Sequence, residues 1–267
     1  MNRLLVLVKQ VPATENVKMD EETGTMIRTG IEAVINPLDL YAVEEAIRIK
    51  EQNNGDVQVS VASMGPPTAA EAIREAIAMG CDEGFLICGR EFAGADTWAT
   101  AYALSKAVSY LDTFDLILCG ERATDGETGQ VGPMVGTMLG LPVLTYVSRI
   151  ESNNRDSLVA HRAIEGGYEV VQCPLPALVS VVKEINEPRL PTLMGKMTAR
   201  RTEIPVLTAE KIGADCTCLG LSGSPTRVVK VFYPTLTRAG EVISTETASL
   251  EDCVDRLIQF LQSAEII

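Results

Sequence analysis

Short, continuous apolar runs alternate with segments of helical periodicity as far as residue 145, and this alternation restricts the fold more than any other feature of the chain. Continuous runs are typical of strands that are covered on both faces, whereas strict alternation of polar and apolar residues indicates a sheet with one exposed face. Strands and helices joined by short connections form crossovers, and hence a parallel sheet. We therefore predict an α/β fold, with an open parallel sheet and helices on both of its faces.

The individual elements are predicted from apolar periodicity and from helix start signals. Asn36-Pro37 is a strong helix start, with asparagine at the cap and proline at the first helical position. The predicted strands cover 3–9, 57–62, 84–88 and 114–119, and the predicted helices begin at Asn36, Thr68, Ala95 and Gly129. Strand-like segments at 143–150, 157–163 and 168–172 include a predicted hairpin turn at 165–167, and 178–182 is expected to return to the main sheet. We assign 1–185 to this domain, with a hairpin insertion near 150–172.

The remainder of the chain has a different character. From residue 186 to residue 247 no long periodic segment is present, and prolines interrupt the sequence repeatedly. An irregular stretch of this length is uncommon inside a compact domain, and this one is too apolar for simple disorder. We predict that 186–247 forms an extended arm that wraps a partner subunit. Residues 248–267 are predicted to form an amphipathic helix, with one face made by Leu250, Val254, Leu257, Ile258 and Leu261.

Composition and charge exclude several classes of function. The net charge of −13 argues against nucleic-acid binding, because phosphate contacts need a basic surface. No uninterrupted apolar stretch reaches the roughly 18 residues of a membrane span, and the first ten residues are interpreted as a strand and not as a signal peptide. His161 is the single histidine, and neither a catalytic set nor a metal site can be assembled around it. The seven cysteines match no zinc pattern and indicate reduced thiols in a cytoplasmic protein.

Three segments are predicted to meet at the carboxyl ends of the strands, where open parallel sheets bind ligands. They are 8–10, 62–65 and 120–133. The last of them is rich in small residues and leads directly into a helix, so that its backbone N–H groups and the helix dipole favour a phosphate. This pattern indicates nucleotide binding by 125–129, although it is neither a Walker loop nor the dinucleotide-binding GxGxxG motif.

Some residues near these segments also have a purely structural interpretation. Gly132, Gly136 and Gly140 are spaced four apart, and for them close helix–sheet packing is favoured over contact with a ligand. Asn36 is expected to cap its helix, and Asp39 is expected to complement the dipole at the same helix end. From the residues alone, capping and ligand contact both stay open for Asn36 and Asp39.

Four segments of the chain carry a resemblance to a known family. They are VKQVP at 8–12, INPLDLYAVEEAIRIKE at 35–51, ATDGETGQVGP at 123–133 and EGGYEVVQCPLPALVSVVKEINEPRLPTL at 165–193. Together they resemble the β subunits of electron-transfer flavoproteins over nearly the whole chain. The last segment is the most specific, because it matches that family's signature region of glycine turn, strand, proline, second strand and NEPR.

The resemblance implies a heterodimer in which an α subunit carries a FAD that shuttles electrons, while this chain holds a second nucleotide in a Rossmann-like pocket. In anaerobic electron-bifurcating members that nucleotide is FAD beside an NAD(H) site, and in simple respiratory members it is AMP. The chain is similar to the bifurcating type, with Asp39 where the respiratory type has the cysteine of NPFC, and with a compact segment at 17–28. Electrons from NAD(H) then reach the α-subunit FAD and a partner dehydrogenase on one branch and ferredoxin on the other. The resemblance assigns the pocket to Val8, Lys9, Asn36, Asp39, Met64, Ala123, Thr124, Asp125, Gly126, Glu127, Thr128, Gly129, Gln130, Val131, Gly132 and Pro133.

The same resemblance assigns residues 189–197 to a loop that docks on the partner dehydrogenase. Leu193 is expected to be exposed and to insert into a pocket of that partner. The partner implied is a flavin-dependent dehydrogenase of the acyl-CoA dehydrogenase type or the lactate dehydrogenase type. The predicted docking residues are Arg189, Leu190, Thr192, Leu193, Met194 and Met197.

Two other functions stay compatible with the sequence. One is a simple electron carrier in which this subunit holds a structural AMP. The other is a stand-alone adenine-nucleotide sensor, and the long segment at 186–247 argues against it because such an arm needs a partner to cover it.

Overall fold

The computed structural model describes residues 1–13, 33–153, 156–229 and 242–266, and the compact segment predicted at 17–28 lies outside them. The strands are β1 Arg3–Leu7, β2 Gln10–Pro12, β3 Ala33–Ile35, β4 Gln58–Met64, β5 Glu83–Ile87, β6 Leu116–Gly120, β7 Val143–Asn153, β8 Ser157–Ile164, β9 Gly167–Pro174, β10 Ala177–Val181 and β11 Val206–Leu207. The helices are α1 Pro37–Gln52, α2 Ala70–Met79, α3 Thr97–Leu111, α4 Val131–Met138, α5 Leu193–Arg201, α6 Gly220–Gly223 and α7 Leu250–Ser263.

Nine of these strands form one sheet in the order β11-β5-β4-β1-β6-β10-β7-β8-β9. The strands from β11 to β7 run parallel, and β8 and β9 form the antiparallel hairpin that the sequence places between β7 and β10. From β1 the chain moves outward through β4 to β5, and it then places β6 on the other side of β1. The predicted α/β fold is confirmed, and the reversal of strand order opens a crevice at the carboxyl ends of β1 and β6.

The central strand β1 is buried on both faces, as its continuous apolar run predicts. Leu4 and Val6 belong to the core that contains the apolar faces of α1 and α2. Leu5 and Leu7 belong to a second core, which contains the apolar faces of α3 and α4. Successive side chains of a strand point to opposite faces, so a strand between two helical layers needs apolar residues at every position.

The glycines of α4 allow this helix to approach the sheet closely. A Cβ atom on Gly132 would lie 2.6 Å from the Sγ atom of Cys119, and one on Gly136 would lie 2.5 Å from a methyl group of Val143. The packing interpretation of these two residues is therefore confirmed. Gly140 differs from the expectation, because it lies beyond the end of α4 with a φ of +67°, where glycine lets the chain leave the helix.

Residues 186–229 differ from the predicted arm, because they contribute to the main domain. Strand β11 pairs in parallel with β5 at the edge of the sheet, and Leu207, Ile212 and Leu219 are buried in the core. Residues 1–230 accordingly form one compact unit, so the domain boundary predicted at residue 185 is wrong. The elements in this stretch are too short to produce a long periodic pattern, which is why the sequence did not indicate them. That this region contacts a partner subunit stays a prediction.

The second unit, residues 231–267, contains the amphipathic helix that the sequence predicts near the C-terminus. Helix α7 begins after Ser249, whose side chain accepts a hydrogen bond from the backbone N–H of Asp252. Its large apolar side chains are exposed, among them Leu250, Leu257 and Phe260. None of the helices in the described part of the chain has the length and apolar character that crossing a membrane requires.

Candidate functional site

Three backbone segments meet at the crevice between the carboxyl ends of β1 and β6. The first is the pair Val8-Lys9 after β1, the second is the start of α1, and the third is the loop at 121–130 that joins β6 to α4. We refer to this third segment as the nucleotide loop. Two of the three segments predicted at this crevice, 8–10 and 120–133, each make hydrogen bonds to side chains at the start of α1.

Asn36 connects two of these segments with its side chain. Its Nδ2 atom donates to the carbonyl oxygen of Arg122 over 2.9 Å, and its Oδ1 atom accepts from the backbone N–H of Thr124 over 3.2 Å. Its own backbone N–H donates to the carbonyl oxygen of Lys9 over 2.8 Å. Asn36 stands at the N-cap position of α1, but its side chain makes no capping hydrogen bond. The capping prediction is therefore wrong for the side chain, which binds the nucleotide loop instead.

The side chain of Asp39 likewise connects two segments, the residue that follows β1 and the end of β6. One of its carboxylate oxygens accepts from the backbone N–H of Lys9 over 2.7 Å, and the other accepts from the backbone N–H of Gly120 over 3.3 Å. A Cβ atom on Gly120 would lie 2.5 Å from this carboxylate, so the contact requires glycine there. Asp39 lies in the first turn of α1, where a carboxylate complements the helix dipole as predicted.

The buried position of Asp39 changes its acidity. Burial raises the pKa of Asp39 to about 7, although hydrogen bonds from Asn36, Lys9 and Gly120 act in the opposite direction. With only 6% of its surface exposed and both oxygens bonded to backbone, Asp39 has little surface left for a ligand. The geometry favours an indirect role, in which Asn36 and Asp39 determine where the surrounding backbone lies.

The nucleotide loop is fixed to β1 by a second contact, between Lys9 and Asp125. The Nζ atom of Lys9 lies 2.6 Å from a carboxylate oxygen of Asp125, whose side chain is only 6% exposed. The loop turns sharply beyond this point, with a hydrogen bond from the N–H of Glu127 to the carbonyl oxygen of Ala123. Positive φ angles at Glu127 and Gly129 complete the turn. Asp125 thus attaches the loop to Lys9, while backbone atoms close the turn itself.

The outer part of the nucleotide loop is open to solvent. Gly126, Glu127, Thr128 and Gln130 are exposed, and a Cβ atom on Gly126 would meet nothing within 4 Å. Gln130 accepts a hydrogen bond from the Thr97 hydroxyl and makes no side-chain cap on α4. Thr128 does not cap this helix, because the N-cap position is Gln130. The first turn of α4, with Val131, Gly132 and Pro133, therefore begins without a side-chain acceptor, as an anion-binding helix end does.

Two further predicted residues, Val8 and Met64, lie at the ends of neighbouring strands. Val8 is buried, and its N–H donates to the carbonyl oxygen of Ala62 over 2.9 Å. Met64 ends β4 and packs partly exposed against the core beneath α3 and α4. Their side chains belong to different cores, Val8 to the one beneath α1 and α2 and Met64 to the one beneath α3 and α4.

The predicted docking residues lie on a different element, around the start of α5. Leu190, Leu193 and Met194 are among the most exposed large apolar side chains of the described residues, so the predicted exposure of Leu193 is confirmed. Met197 is also exposed, and Thr192 caps α5 by accepting from the N–H of Gly195 over 2.9 Å. Sequence reasoning missed the charged contacts of Arg189, which bind this region to α1. A signal was present, since two glutamates seven residues apart, Glu44 and Glu51, lie on one face of that helix.

The chain has extensive similarity to characterised proteins. Residues 23–212 match the family described as "Electron transfer flavoprotein domain". The chain is 45% identical over 265 residues to "Electron transfer flavoprotein subunit beta" of Thermoanaerobacterium thermosaccharolyticum, with 99% of each chain covered. It is 42% identical to "Caffeyl-CoA reductase-Etf complex subunit CarD" of Acetobacterium woodii, covering 99% of this chain and 100% of the relative. It is 37% identical to "Acryloyl-CoA reductase electron transfer subunit gamma" of Anaerotignum propionicum, covering 96% and 98%.

Proposed function

The chain belongs to the electron transfer flavoprotein family as a β subunit, and from this premise we propose that it binds FAD in the crevice between β1 and β6. β subunits of this family pair with an α subunit, whose own FAD is the second redox centre of the proposed heterodimer. NAD(H) is the proposed electron donor or acceptor at this subunit. The partners proposed for the complex are a flavin-dependent dehydrogenase and ferredoxin, which makes it an electron-bifurcating or confurcating system.

The observation that carries the proposal is the open nucleotide loop in front of an uncapped helix. Its glycines, the exposed Gly126 and the partly buried Gly129, allow a diphosphate to approach the backbone, and the N-terminal end of α4 contributes a favourable dipole. Gly129 has a φ of +61°, which turns the loop into the helix. The ammonium group of Lys9 lies at the base of the same loop, where it adds positive charge.

The residues assigned to the pocket divide into two groups in this proposal. The loop from Gly126 to Pro133, together with Lys9, Met64 and the backbone of the buried Val8, contacts the nucleotide. Asn36, Asp39 and Asp125 orient the backbone and Lys9 through the hydrogen bonds that they make. When bound, the flavin supplies one-electron and two-electron chemistry, and the protein supplies its position, its electrostatic surroundings and the exclusion of other reactions. No side chain of this subunit is proposed to transfer a proton.

The names of two relatives support a partner of the acyl-CoA dehydrogenase type. One relative is a subunit of a caffeyl-CoA reductase complex, and another is an electron transfer subunit of an acryloyl-CoA reductase. Both names describe a reductase of a CoA thioester. We therefore rank this type above the lactate dehydrogenase type as the partner of the present chain.

The deciding experiment counts the nucleotides in the purified heterodimer. Acid-released FAD and AMP are quantified by chromatography against the protein concentration. Two FAD per heterodimer support the proposed function. One FAD with one AMP eliminates the second flavin and leaves the simple carrier, and an isolated chain with neither flavin supports the sensor.

A substitution in the nucleotide loop tests the site independently of the flavin count. Thr128→Val is expected to weaken nucleotide retention during desalting, because the exposed hydroxyl has no hydrogen-bond partner among the described residues and is free for a phosphate. A hydrogen bond to a charged group such as a phosphate contributes about 1.5–3 kcal/mol. Unchanged retention rejects contact of Thr128 with the ligand.

Exposed apolar surface supports obligate pairing with an α subunit. The β8–β9 hairpin exposes Ile164, Tyr168 and Val170, and α7 exposes one apolar face. Surface of this kind is typical of protein interfaces. The chain expressed alone is therefore expected to aggregate or to unfold without cooperativity. A monomer that is stable at micromolar concentration, with a cooperative thermal transition, contradicts obligate pairing.

A further inference from the structure

A cluster of one arginine and two glutamates attaches the segment before α5 to helix α1. The Nε and Nη2 atoms of Arg189 lie 2.8 and 3.0 Å from the two carboxylate oxygens of Glu44. Its Nη1 and Nη2 atoms lie 2.6 and 2.9 Å from the two oxygens of Glu51. Arg189 therefore makes a two-pronged ion pair with each carboxylate, which is the geometry that planar guanidinium groups favour.

The same cluster fixes the main chain as well as the side chain. The backbone N–H of Arg189 donates to Glu44 over 3.1 Å, so Glu44 receives three hydrogen bonds from this one residue. Glu44 has a side chain that is only 6% exposed, and a buried carboxylate without its partner is strongly unfavourable. Three residues earlier, the Nδ2 atom of Asn186 donates to the carbonyl oxygen of Tyr41 and to Glu45, each over 3.0 Å.

The other end of the segment is fixed on α2. Gly195, in the first turn of α5, lies so close to α2 that a Cβ atom would come within 2.0 Å of the carbonyl oxygen of Ala78. An Nη1 atom of Arg74 donates to the carbonyl oxygen of Thr202, just after α5, over 3.2 Å. The residues between Arg189 and Gly195 are thus held at both ends by the domain.

The segment between Arg189 and Gly195 exposes three large apolar side chains. Leu190, Leu193 and Met194 are 87%, 77% and 70% exposed, and we refer to them as the docking patch. A rigid backbone that displays exposed apolar side chains costs less to order on binding than a mobile loop does. Hydrogen bonds from Arg189 lower the pKa of Glu51, which favours the charged form of this carboxyl group.

We infer that Arg189 is a positioning residue of the docking surface, acting through Glu44 and Glu51 to hold the docking patch in the geometry that the partner dehydrogenase binds. The inference rests on the proposed function, because it takes the docking patch as the contact with that dehydrogenase. A lysine cannot replace Arg189, since one ammonium group cannot form two parallel two-pronged contacts.

The first test measures backbone order directly in the purified heterodimer, by hydrogen–deuterium exchange. Arg189→Lys is expected to accelerate exchange in peptides that cover 187–195 and to leave peptides from the nucleotide loop unchanged. Arg200→Lys is the matched control, because Arg200 is exposed on α5 and makes no ion pair with the described residues. Equal exchange over 187–195 in wild type and Arg189→Lys overturns the inference.

The second test asks whether Arg189 acts through the docking patch. Electron transfer is measured against the concentration of a purified acyl-CoA dehydrogenase that reacts with the wild-type heterodimer. Arg189→Lys is expected to raise the half-saturating concentration about tenfold, while the rate at saturation and the nucleotide content are unchanged. In a Leu193→Ala background the same substitution is expected to add little, since the anchor that it positions is already absent.

The outcomes separate this inference from the docking proposal. Fully additive effects of Arg189→Lys and Leu193→Ala overturn the role of Arg189 and leave the docking patch in place. A Leu193→Ala variant with an unchanged half-saturating concentration rejects the docking proposal, and the inference falls with it. In that case, hydrogen–deuterium exchange over 187–195 still shows whether Arg189, Glu44 and Glu51 order this segment.

Discussion

The two ends of helix α1 contact two different proposed sites, and they do so with different chemistry. At the N-terminal end, Asn36 and Asp39 are buried and bind backbone groups of the neighbouring loops. Further along the helix, the buried Glu44 and the exposed Glu51 bind one arginine side chain. A buried polar contact leaves unsatisfied groups when one partner is lost, whereas truncation of an exposed side chain of the docking patch removes few contacts within the domain. We therefore expect larger effects at the crevice than at the docking surface, and different measurements should detect them.

The largest effect is expected for Asp39→Ala. The substitution leaves the backbone N–H groups of Lys9 and Gly120 without their carboxylate acceptor, and each unsatisfied buried donor costs about 1–3 kcal/mol. The free energy of unfolding of the heterodimer should fall by that order, and nucleotide should be lost on desalting. Asp56→Ala is the control, because Asp56 is exposed just beyond the other end of α1. A stable Asp39→Ala variant with its nucleotide retained would show that Asp39 does not organise the crevice.

A pH titration should show a smaller effect at the same residue. The pKa of Asp39 is about 7 in the folded chain against an ordinary value of 3.8, so its protonated form is favoured by folding. Its stabilising contribution is complete below pH of about 4, and it is lost as the pH rises through about 7. The free energy of unfolding of wild type, measured relative to that of Asp39→Asn, should fall between about pH 4 and pH 7 and then level off. Lys9 and Asp125, the nearby charged pair, are common to both proteins and cancel in the comparison. A pH-independent difference would contradict the raised pKa.

Asp125→Ala tests the crevice while leaving the buried hydrogen bonds of Asp39 in place. Loss of the carboxylate removes the contact with Lys9 and should weaken nucleotide binding by about 1.5–3 kcal/mol, the value typical of charge-assisted hydrogen bonds. Lys9→Met breaks the same pair from the other side. Equilibrium dialysis with the nucleotide identified in the heterodimer gives both affinities. If neither variant binds more weakly, the nucleotide loop has been assigned wrongly.

Leu193→Ala should give the smallest change in stability and a selective change in partner binding. Truncation of a buried interface anchor costs about 2 kcal/mol, which is roughly a thirtyfold weaker affinity for the dehydrogenase. Nucleotide content and thermal stability should be unchanged, because Leu193 makes few contacts within its own domain. Leu221→Ala, at an exposed leucine on α6, should leave docking unaffected. Equal effects of Leu193→Ala and Leu221→Ala on affinity for the dehydrogenase would show that Leu193 is not a specific contact of that partner.

The main sheet and its crevice could be predicted because their signals are local. The apolar runs that become β1 and β6, and the Asn36-Pro37 start of α1, depend on residues near in sequence. The positions of the strand ends then follow from the rules of parallel sheets. The glycine-rich loop before α4 was found for the same reason.

The features that could not be predicted depend on contacts between distant residues. Asn36 binds Arg122 and Thr124, which are more than 80 positions away, and no local pattern distinguishes this role from capping. Helix α5 has only nine residues, contains a glycine in its first turn and ends in two arginines, so it lacks the long apolar stripe that predicts a helix. Strand β11 has only two residues, and its position depends entirely on the edge of β5 that it meets.

Helix α1 also sets a fixed distance between the crevice and the docking surface. Its 16 residues make a rod of about 24 Å, with the contacts of Asp39 near one end and those of Glu51 near the other. One residue inserted between Asp39 and Glu44 would rotate both glutamates by about 100° around the helix axis, away from Arg189. Under the proposed docking role, substitutions on the docking patch would change the choice of dehydrogenase, while insertions and deletions in α1 would be eliminated by selection. Across related subunits, this helix should vary in sequence but keep a constant length.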